Sequence, residues 1–260
     1  MRGGWSIAEL SRASGHSRWK IRSIVRAWLA RPSPVFVDLA SMKQIVVDGT
    51  YLPGRDPIFI LMDGAKNEVV AGKRGVAEGS KTMRAYLSDL AARGLNPTSI
   101  TMDGHVKVLA CVRELWPRIL VQRCLVHVQR QGLMWCRMKP KRTDAKCLRA
   151  IFLRVTGIVT KAGRDELIAD IHAWEAKYGA KILRDGEKGW ISSDMRRARS
   201  MLLKALPDMF RYLDVAGIPK TSNCIEGYIG RMKEIYRLHR GLATDRRNDY
   251  FRWHFHLTRR

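Results

Sequence analysis

The sequence predicts an α/β fold, and three features of the chain support that class. Residues 43–52, 56–64 and 67–75 are runs of β-branched and aromatic residues separated by turn signals, which predicts three consecutive antiparallel strands. Helical and strand-like segments then alternate as far as residue 128, a pattern typical of α/β domains. Residues 129–221 are helical in pattern throughout, which predicts an all-helical region after the sheet.

The alternating part of the chain is predicted from helical spacing and from stop signals. An amphipathic helix is predicted over residues 79–95, where Gly94 is the stop signal and apolar residues recur at helical spacing: Met83, Tyr86, Leu87 and Leu90. A strand over 98–104, a helix over 105–117 and a strand over 118–124 follow, and a further helix begins at 125. The predicted order is therefore β-β-β-α-β-α-β.

Residues 1–34 predict a reduced helix-turn-helix DNA-binding segment. Ser6 and Glu9 have the spacing of a capping box, Gly15 breaks the first helix, and Ser17 can cap the second. Two short helices joined by such a turn are typical of helix-turn-helix units. The Arg-Pro-Ser-Pro stretch at 31–34 ends the segment and is interpreted as a linker.

The second of these helices combines an apolar face with basic side chains. Trp19, Ile24 and Trp28 are expected to cover its apolar face. Its basic residues lie mostly elsewhere and are candidate DNA contacts: Arg18, Lys20, Arg22 and Arg26. Any short helical hairpin could carry this pattern, so a purely structural hairpin is the alternative.

The charge balance indicates a polyanionic partner. The 260 residues include 48 Lys and Arg against 24 Asp and Glu, a formal net charge of +24. A soluble enzyme acting on a small metabolite does not need that excess, whereas nucleic acid binds cationic side chains through its phosphates. A basic binding protein without catalytic activity is the alternative.

The cysteines and the hydropathy pattern predict an intracellular, cytoplasmic protein that does not bind membranes. The five cysteines form no regular disulfide framework. Nothing at the N-terminus resembles a signal peptide, and no apolar run approaches the roughly 20 residues of a membrane span. A P-loop enzyme is excluded, because its glycine-lysine motif does not occur.

Three Asp-Gly pairs accompany the predicted strands, and they are not equivalent. Asp63 falls at a hairpin turn, where Asp-Gly is an ordinary turn signal. Asp48 lies inside the first strand, five residues before the turn at Pro53, where a carboxylate without a partner is costly. Asp103 ends a later strand, and its alternative role is to cap the helix that starts near His105.

Two carboxylates on strands and a third on a late helix predict a divalent-metal site. Glu226 supplies the third, on a helix that Ser222 or Asn223 can cap. With Asp48 and Asp103 it can hold two cations that activate a nucleophile and stabilise the leaving oxygen in phosphodiester chemistry. Mg²⁺ suits such a site, because it keeps several waters and needs few carboxylates. The alternative for Glu226 is a capping box with Asn223.

Three stretches of the chain resemble the DDE transposases of bacterial insertion sequences of the Mutator type: "VVDGTY", "ITMDGHVKVLACVRELWPRILVQRCLVHVQRQ" and "TSNCIEGYIGRMK". The resemblance covers residues 44 to about 240. Its most specific part is the middle stretch, where an Asp-Gly after a strand is followed by a helix ending in Trp-Pro, a strand and a Cys-x-x-His. The chain is short for this family, and its N-terminal region is reduced.

The resemblance implies a fold and a set of site residues. The fold would be a ribonuclease-H-like mixed sheet flanked by helices, formed by 40–128 plus 222–260, with an all-helical insertion at 129–221. Catalysis and metal binding would fall to the acidic triad Asp48, Asp103 and Glu226, with two Mg²⁺ or Mn²⁺ ions. The family's signature near the active site would be Cys124 and His127, and further DNA contacts would be Asn223 and Arg231.

The resemblance also implies an activity and its partners. Metal-dependent cleavage at the element ends would free a 3′-hydroxyl that attacks target DNA, and no covalent protein–DNA intermediate is required. The partners would be double-stranded terminal inverted repeats and target DNA, bound by a homo-oligomer associated with the nucleoid. The alternatives are a ribonuclease-H-like nuclease without transposition activity and an inactive, truncated DNA-binding remnant. Trp174 and Trp190 in the insertion could stack on an unpaired base or belong to its core.

Overall fold

The computed structural model describes residues 5–32, 38–184, 190–239 and 242–258. Over these ranges the chain has an α/β fold with a five-stranded mixed sheet and eleven α-helices. Its contacts divide it into two compact units, which we call unit 1 (1–98, 105–119 and 223–260) and unit 2 (99–104 and 120–222). The first four residues of the predicted helix-turn-helix, and Ser33 and Pro34 of the predicted linker, lie outside the described residues.

Unit 1 contains an antiparallel meander of three strands. These are β1 (Gln44–Leu52), β2 (Asp56–Asp63) and β3 (Glu68–Arg74), as the turn signals predict. Asp48 pairs with Ile60 in the continuous β1–β2 register, so Asp48 lies within the ladder rather than at its end. The β2–β3 register shifts between Leu61 and Met62.

Within the described residues, unit 1 has two helices that precede the meander along the chain and four that follow it. They are α1 (Ile7–Ser14), α2 (Arg18–Ala30), α3 (Lys81–Ala92), α4 (Val106–Leu115), α10 (Asn223–Arg237) and α11 (Thr244–Leu257). The predicted capping box of α1 is confirmed, because the Ser6 and Glu9 side chains each accept a hydrogen bond from the other residue's backbone N–H. Ser17 likewise caps α2 by accepting from the Lys20 N–H.

The core of unit 1 joins the meander to the last two helices. Val46 and Leu52 of β1 share a buried cluster with Ile225 and Ile229 of α10 and with Phe251 of α11. Since alternate residues of a strand share one face, the even-numbered residues of β1 form the face that packs against α10. This face also carries the side chain of Asp48, the predicted catalytic residue in β1.

The prediction that Trp19, Ile24 and Trp28 cover the apolar face of α2 is wrong. Trp19 is 75% exposed and Ile24 is also exposed, whereas Ile21 and Leu29 are buried. The buried stripe of α2 therefore runs through the smaller aliphatic residues. Trp28 stays half-exposed and touches the Trp253 ring only edge-on, at a centroid distance of 5.8 Å.

Unit 2 is formed by a parallel strand pair and helices. The strands β4 (Ser99–Met102) and β5 (Leu120–Arg123) are parallel, as the alternating pattern predicts. The helices are α5 (Leu125–Cys136), α6 (Thr143–Arg154), α7 (Lys161–Trp174), α8 (Ala180–Arg184) and α9 (Trp190–Ala205). A single core packs residues of these helices together, among them Leu148, Phe152, Ile171 and Met195.

The two tryptophans singled out in unit 2 have opposite environments. Trp174 is buried in that core, and its indole N–H donates to the Asp144 carbonyl at 2.9 Å. Trp190 is 81% exposed at the start of α9. Trp174 is therefore a core residue. None of the helices within the described ranges combines the length and hydropathy needed to cross a bilayer.

Candidate functional site

Asp48 lies in the middle of β1 on the face that packs against α10. It is half-buried between Val46 and Thr50, the neighbours on the same face of the strand. Its Oδ1 accepts a hydrogen bond from the Gly49 N–H at 2.9 Å. This carboxylate lies in regular strand, where a turn role does not account for it.

Glu226 belongs to the same unit and lies in the first turn of α10. Further along that helix, the Lys233 Nζ donates to the Thr50 Oγ1 at 2.6 Å. Positions seven apart share a helix face, so Glu226 lies on the Lys233 side of α10, about 10 Å back along the axis. Asp48 and Glu226 are therefore carried by two elements of unit 1 that pack face to face.

The capping alternative for Glu226 does not match the helix. α10 begins at Asn223, so Asn223 lies inside the helix rather than at the N-cap position that a capping box requires. Asn223 and Arg231 are exposed on this helix, as are Arg18, Lys20, Arg22 and Arg26 on α2. All six predicted DNA contacts are therefore accessible to a ligand.

Asp63 has the structural role that its position predicts. Its Oδ1 accepts from the backbone N–H groups of Ala65 at 2.8 Å and Lys66 at 3.3 Å, which closes the β2–β3 turn. The prediction that Asp63 is a turn residue is confirmed. It provides a matched carboxylate against which Asp48 can be compared.

Asp103 lies in unit 2, directly after β4, and is half-buried. Its carbonyl accepts a hydrogen bond from the Arg123 Nε at 3.1 Å. The next residue, Gly104, has φ +88°, and a Cβ placed there would lie 1.9 Å from the Arg123 Cζ. The alternative role of Asp103 was to cap α4, but the N-cap residue of α4 is His105, two positions further along.

Cys124 and His127 meet around Ser222, also within unit 2. Cys124 is fully buried at the N-cap position of α5. Its Sγ accepts from both the backbone N–H and the hydroxyl of Ser222, each at 3.2 Å. The Ser222 hydroxyl lies 3.4 Å from the His127 Nδ1. The three side chains form one hydrogen-bonded group.

The electrostatics of Cys124 differ from those of the other buried cysteine of α5. Burial alone would raise the pKa of the Cys124 thiol, but hydrogen bonds from His127 and Ser222 outweigh burial and lower that pKa below its ordinary value. Burial raises the pKa of Cys136 to about 12. The hydrogen-bonded group thus favours a more anionic sulfur at Cys124 than at Cys136.

The roles of three residues described here were not predicted from the sequence: Arg123, Ser222 and Lys233. Arg123 had a local signal, since it directly precedes Cys124 and ends the strand parallel to the one before Asp103. Ser222 was predicted only as a possible cap of the helix that carries Glu226, and nothing indicated its bond to Cys124, 98 residues away. Lys233 had only its helical spacing from Glu226.

Residues 57–192 match the family model described as Transposase, Mutator family. Since this match covers more than half of the chain, the chain belongs to that family. The matched range contains Asp103, Cys124 and His127. Asp48 and Glu226 lie outside it.

Three curated relatives carry transposase names. The chain is 30% identical over 154 residues to the transposase for insertion sequence element IS406 of Burkholderia multivorans, covering 56% of this chain and 38% of that protein. It is 27% identical over 109 residues to a probable transposase of Corynebacterium diphtheriae, covering 42% and 32%. It is 30% identical over 96 residues to the transposase for ISRM3 of Rhizobium meliloti, covering 36% and 24%. The matches therefore span well under half of each relative.

Proposed function

We propose that this protein is a DNA transposase that cleaves DNA at the ends of an insertion sequence and joins those ends to target DNA. Its family and the names of its relatives support this reaction class. The observation that carries the proposal is the position of Asp48, a half-buried carboxylate in regular strand on the face that packs against the helix bearing Glu226.

Asp48, Asp103 and Glu226 are the proposed catalytic and metal-binding residues, for two Mg²⁺ or Mn²⁺ ions. Each has a carboxylate of the hard-oxygen type that these ions prefer. All three residues are half-buried, which supports a role as metal ligands that water can still reach. Bound cations would supply activation of the attacking oxygen and stabilisation of the leaving oxygen.

The proposed fold of the catalytic region is ribonuclease-H-like, formed by 40–128 plus 222–260 and interrupted by an insertion at 129–221. An antiparallel meander followed by a parallel β-α-β connection supports it, as do the consecutive helices from α5 to α9. In this arrangement the strands would hold Asp48 and Asp103 rigidly, because their backbone is paired on the ladder or anchored by Arg123.

The proposed partners are double-stranded terminal repeats and target DNA. The two-helix segment α1–α2 would act as a helix-turn-helix, with Arg18, Lys20, Arg22 and Arg26 contacting phosphates or bases. Asn223 and Arg231 would contact DNA near Glu226. Because two element ends must be joined, we propose that the active species is a homo-oligomer on DNA.

The test is cleavage and strand transfer on DNA carrying inverted repeats, with and without Mg²⁺ or Mn²⁺. Asp48→Asn, Asp103→Asn and Glu226→Gln should each lower the cleavage rate at least 100-fold and leave DNA affinity within about threefold. Asp63→Asn is the matched control, since it removes an equal charge from a turn of the same meander and should retain activity.

The outcomes separate the competing functions. Metal-dependent cleavage without strand transfer would indicate a nuclease of the same fold rather than a transposase. Wild-type protein that binds DNA but does not cleave it in either metal would indicate a DNA-binding remnant. Triad variants that are as active as Asp63→Asn would refute the assignment of the acidic residues.

A further inference from the structure

A short segment of unit 2, Pro219–Ser222, is held by hydrogen bonds along its whole length. The Thr101 hydroxyl donates to the Pro219 carbonyl at 2.7 Å, and the Leu125 N–H donates to the Lys220 carbonyl at 3.1 Å. The Lys220 Nζ donates in turn to the Thr156 carbonyl at 3.4 Å. The segment is thus hydrogen-bonded to β4, to the start of α5 and to the turn that follows α6.

The last residue of this segment is hydrogen-bonded to the side chains of Cys124 and His127. Ser222 is buried, and both of its donors point at the Cys124 sulfur. His127 stands one turn along α5 and completes the group through its Nδ1. α10, which bears Glu226 in its first turn, starts at the next residue.

We propose that Cys124 and His127 are positioning residues that fix Ser222 and thereby the point from which the Glu226-bearing helix starts. This inference rests on the proposed function, since it assigns a task to residues around a proposed catalytic acid. Neither side chain would touch DNA or take part in bond cleavage.

The residue types suit the task. A sulfur atom is large and polarisable, and it can accept two hydrogen bonds from one serine at 3.2 Å, distances that are long for an oxygen acceptor. Cys124 is fully buried, so water cannot replace either donor. The Cys124 backbone is itself fixed, because its N–H donates to the Met102 carbonyl at 2.8 Å. Ser222 is therefore tied to the residue that directly precedes Asp103.

A nucleophilic role for the thiol does not suit this geometry. The Cys124 sulfur is inaccessible to solvent and faces the two donors of Ser222. The Ser222 hydroxyl also lies within hydrogen-bonding distance of the His127 Nδ1, at 3.4 Å. A role in fixing the position of Ser222 accounts for each of these contacts.

The first measurement is hydrogen exchange of the Ser222 amide in the full chain. Cys124→Ala removes the acceptor and should speed exchange at this amide at least tenfold. Cys124→Ser, which keeps a shorter acceptor, should give a smaller increase, and His127→Asn should loosen the group without opening a core cavity. Cys136→Ala is the matched control, because it removes an equally buried thiol from the same helix and should leave Ser222 exchange unchanged.

The second measurement is the kinetics of metal-dependent cleavage by the same variants. Cys124→Ala should lower kcat at least tenfold and leave KM for DNA within about twofold, since the exposed basic residues are unaltered. Cys124→Ser should recover part of kcat, and Cys136→Ala should behave like the wild type. Faster Ser222 exchange with an unchanged kcat would refute the positioning role.

Two further results would overturn the inference. Ser222 exchange that is the same in Cys124→Ala and in the wild type would show that the sulfur does not hold the segment. Protection that is lost when a zinc chelator is added would show that Cys124 and His127 bind a metal instead. A wild type that does not cleave DNA contradicts the proposed function rather than the hold on Ser222, so the two failures are distinguishable.

Discussion

Gly104 is the residue of the candidate site with the least freedom to change. Its φ of +88° lies in the left-handed region that L-residues with a Cβ adopt at a cost. The Arg123 guanidinium occupies the space that a Cβ would fill, and it donates to the Asp103 carbonyl. Arg123 is only 8% exposed, so it has little room to withdraw.

Gly104→Ala should therefore destabilise unit 2 by roughly 2–4 kcal/mol, from backbone strain and displacement of Arg123. Denaturant unfolding measures this change. Gly157→Ala is the matched control in the same unit, because Gly157 has no positive φ and a Cβ added to it would have no atom within 4 Å. Equal effects of the two substitutions would contradict the account of Gly104.

The sequence distinguished the turn residue Asp63 from the strand residue Asp48, but it did not predict the contacts that hold the rest of the candidate site. Asp63 lies at a turn and Asp48 inside a strand, and this local difference can be read from the positions of Pro53 and Gly64. The bond between Ser222 and Cys124 joins residues 98 positions apart. No local pattern encodes such a pairing, since it depends on how the helices of unit 2 return to the end of β5.

Local sequence signals predicted the bounds of helices and strands closely. They did not predict which face of α2 is buried. The strands of unit 1 and the helix α3 begin and end near the predicted residues, because turn residues and caps act locally. On α2 the sequence offers two apolar stripes, and only the partner helix decides which is covered. Ile21 and Leu29 are the buried residues of α2, and the Arg252 guanidinium of α11 donates to the Leu29 carbonyl.

The exposed basic side of α2 leads to a prediction about DNA binding. Replacing Arg18, Lys20, Arg22 and Arg26 by Ala should weaken DNA binding and reduce the slope of log affinity against log salt by about 0.9 for each cation that contacts a phosphate. Titrations at several salt concentrations measure this slope. Lys66→Ala in the β2–β3 turn is the control and should leave the slope unchanged. An unchanged slope in the quadruple variant would exclude α2 from the interface.

α11 contains a histidine in an apolar environment. His254 is 1% exposed, and neither of its ring nitrogens has a hydrogen-bond partner among the described residues. Its ring packs against those of Tyr228, Tyr250 and Phe251. Burial, together with the nearby His239, lowers the pKa of His254 to about 4.

The folded state should therefore lose stability in acid through His254. Above pH 6.5 the residue is neutral in both states, so stability is full. As the pH falls from about 6.5 to about 4, His254 becomes protonated in the unfolded chain but stays neutral in the folded protein. This difference lowers the free energy of unfolding by up to about 3 kcal/mol.

His254→Phe should reduce this loss, as denaturant unfolding at pH 7 and at pH 4.5 would measure. His172→Asn, at an exposed position of α7, should not. If His254→Phe and the wild type lose equal stability between these pH values, His254 does not titrate in this range.

For the whole molecule, the net charge of +24 should dominate encounters with DNA. Binding to DNA of unrelated sequence should weaken by at least about 1,000-fold between 50 and 200 mM salt, as for proteins that neutralise six or more phosphates. Fluorescence anisotropy with a labelled duplex measures this. Affinity that is insensitive to salt would contradict a phosphate-dominated interface.

The core of unit 1 is assembled from both ends of the chain, and this dictates an order during synthesis. Val46, Ile58 and Ile60 from the early strands pack with Ile225 and Phe255, which the ribosome delivers roughly 165 to 210 residues later. Until then the apolar face of the nascent meander is uncovered, whereas every helix of unit 2 has already been synthesised. A chain released before residue 223 would therefore leave this apolar face exposed, and chaperones and proteases should recognise it.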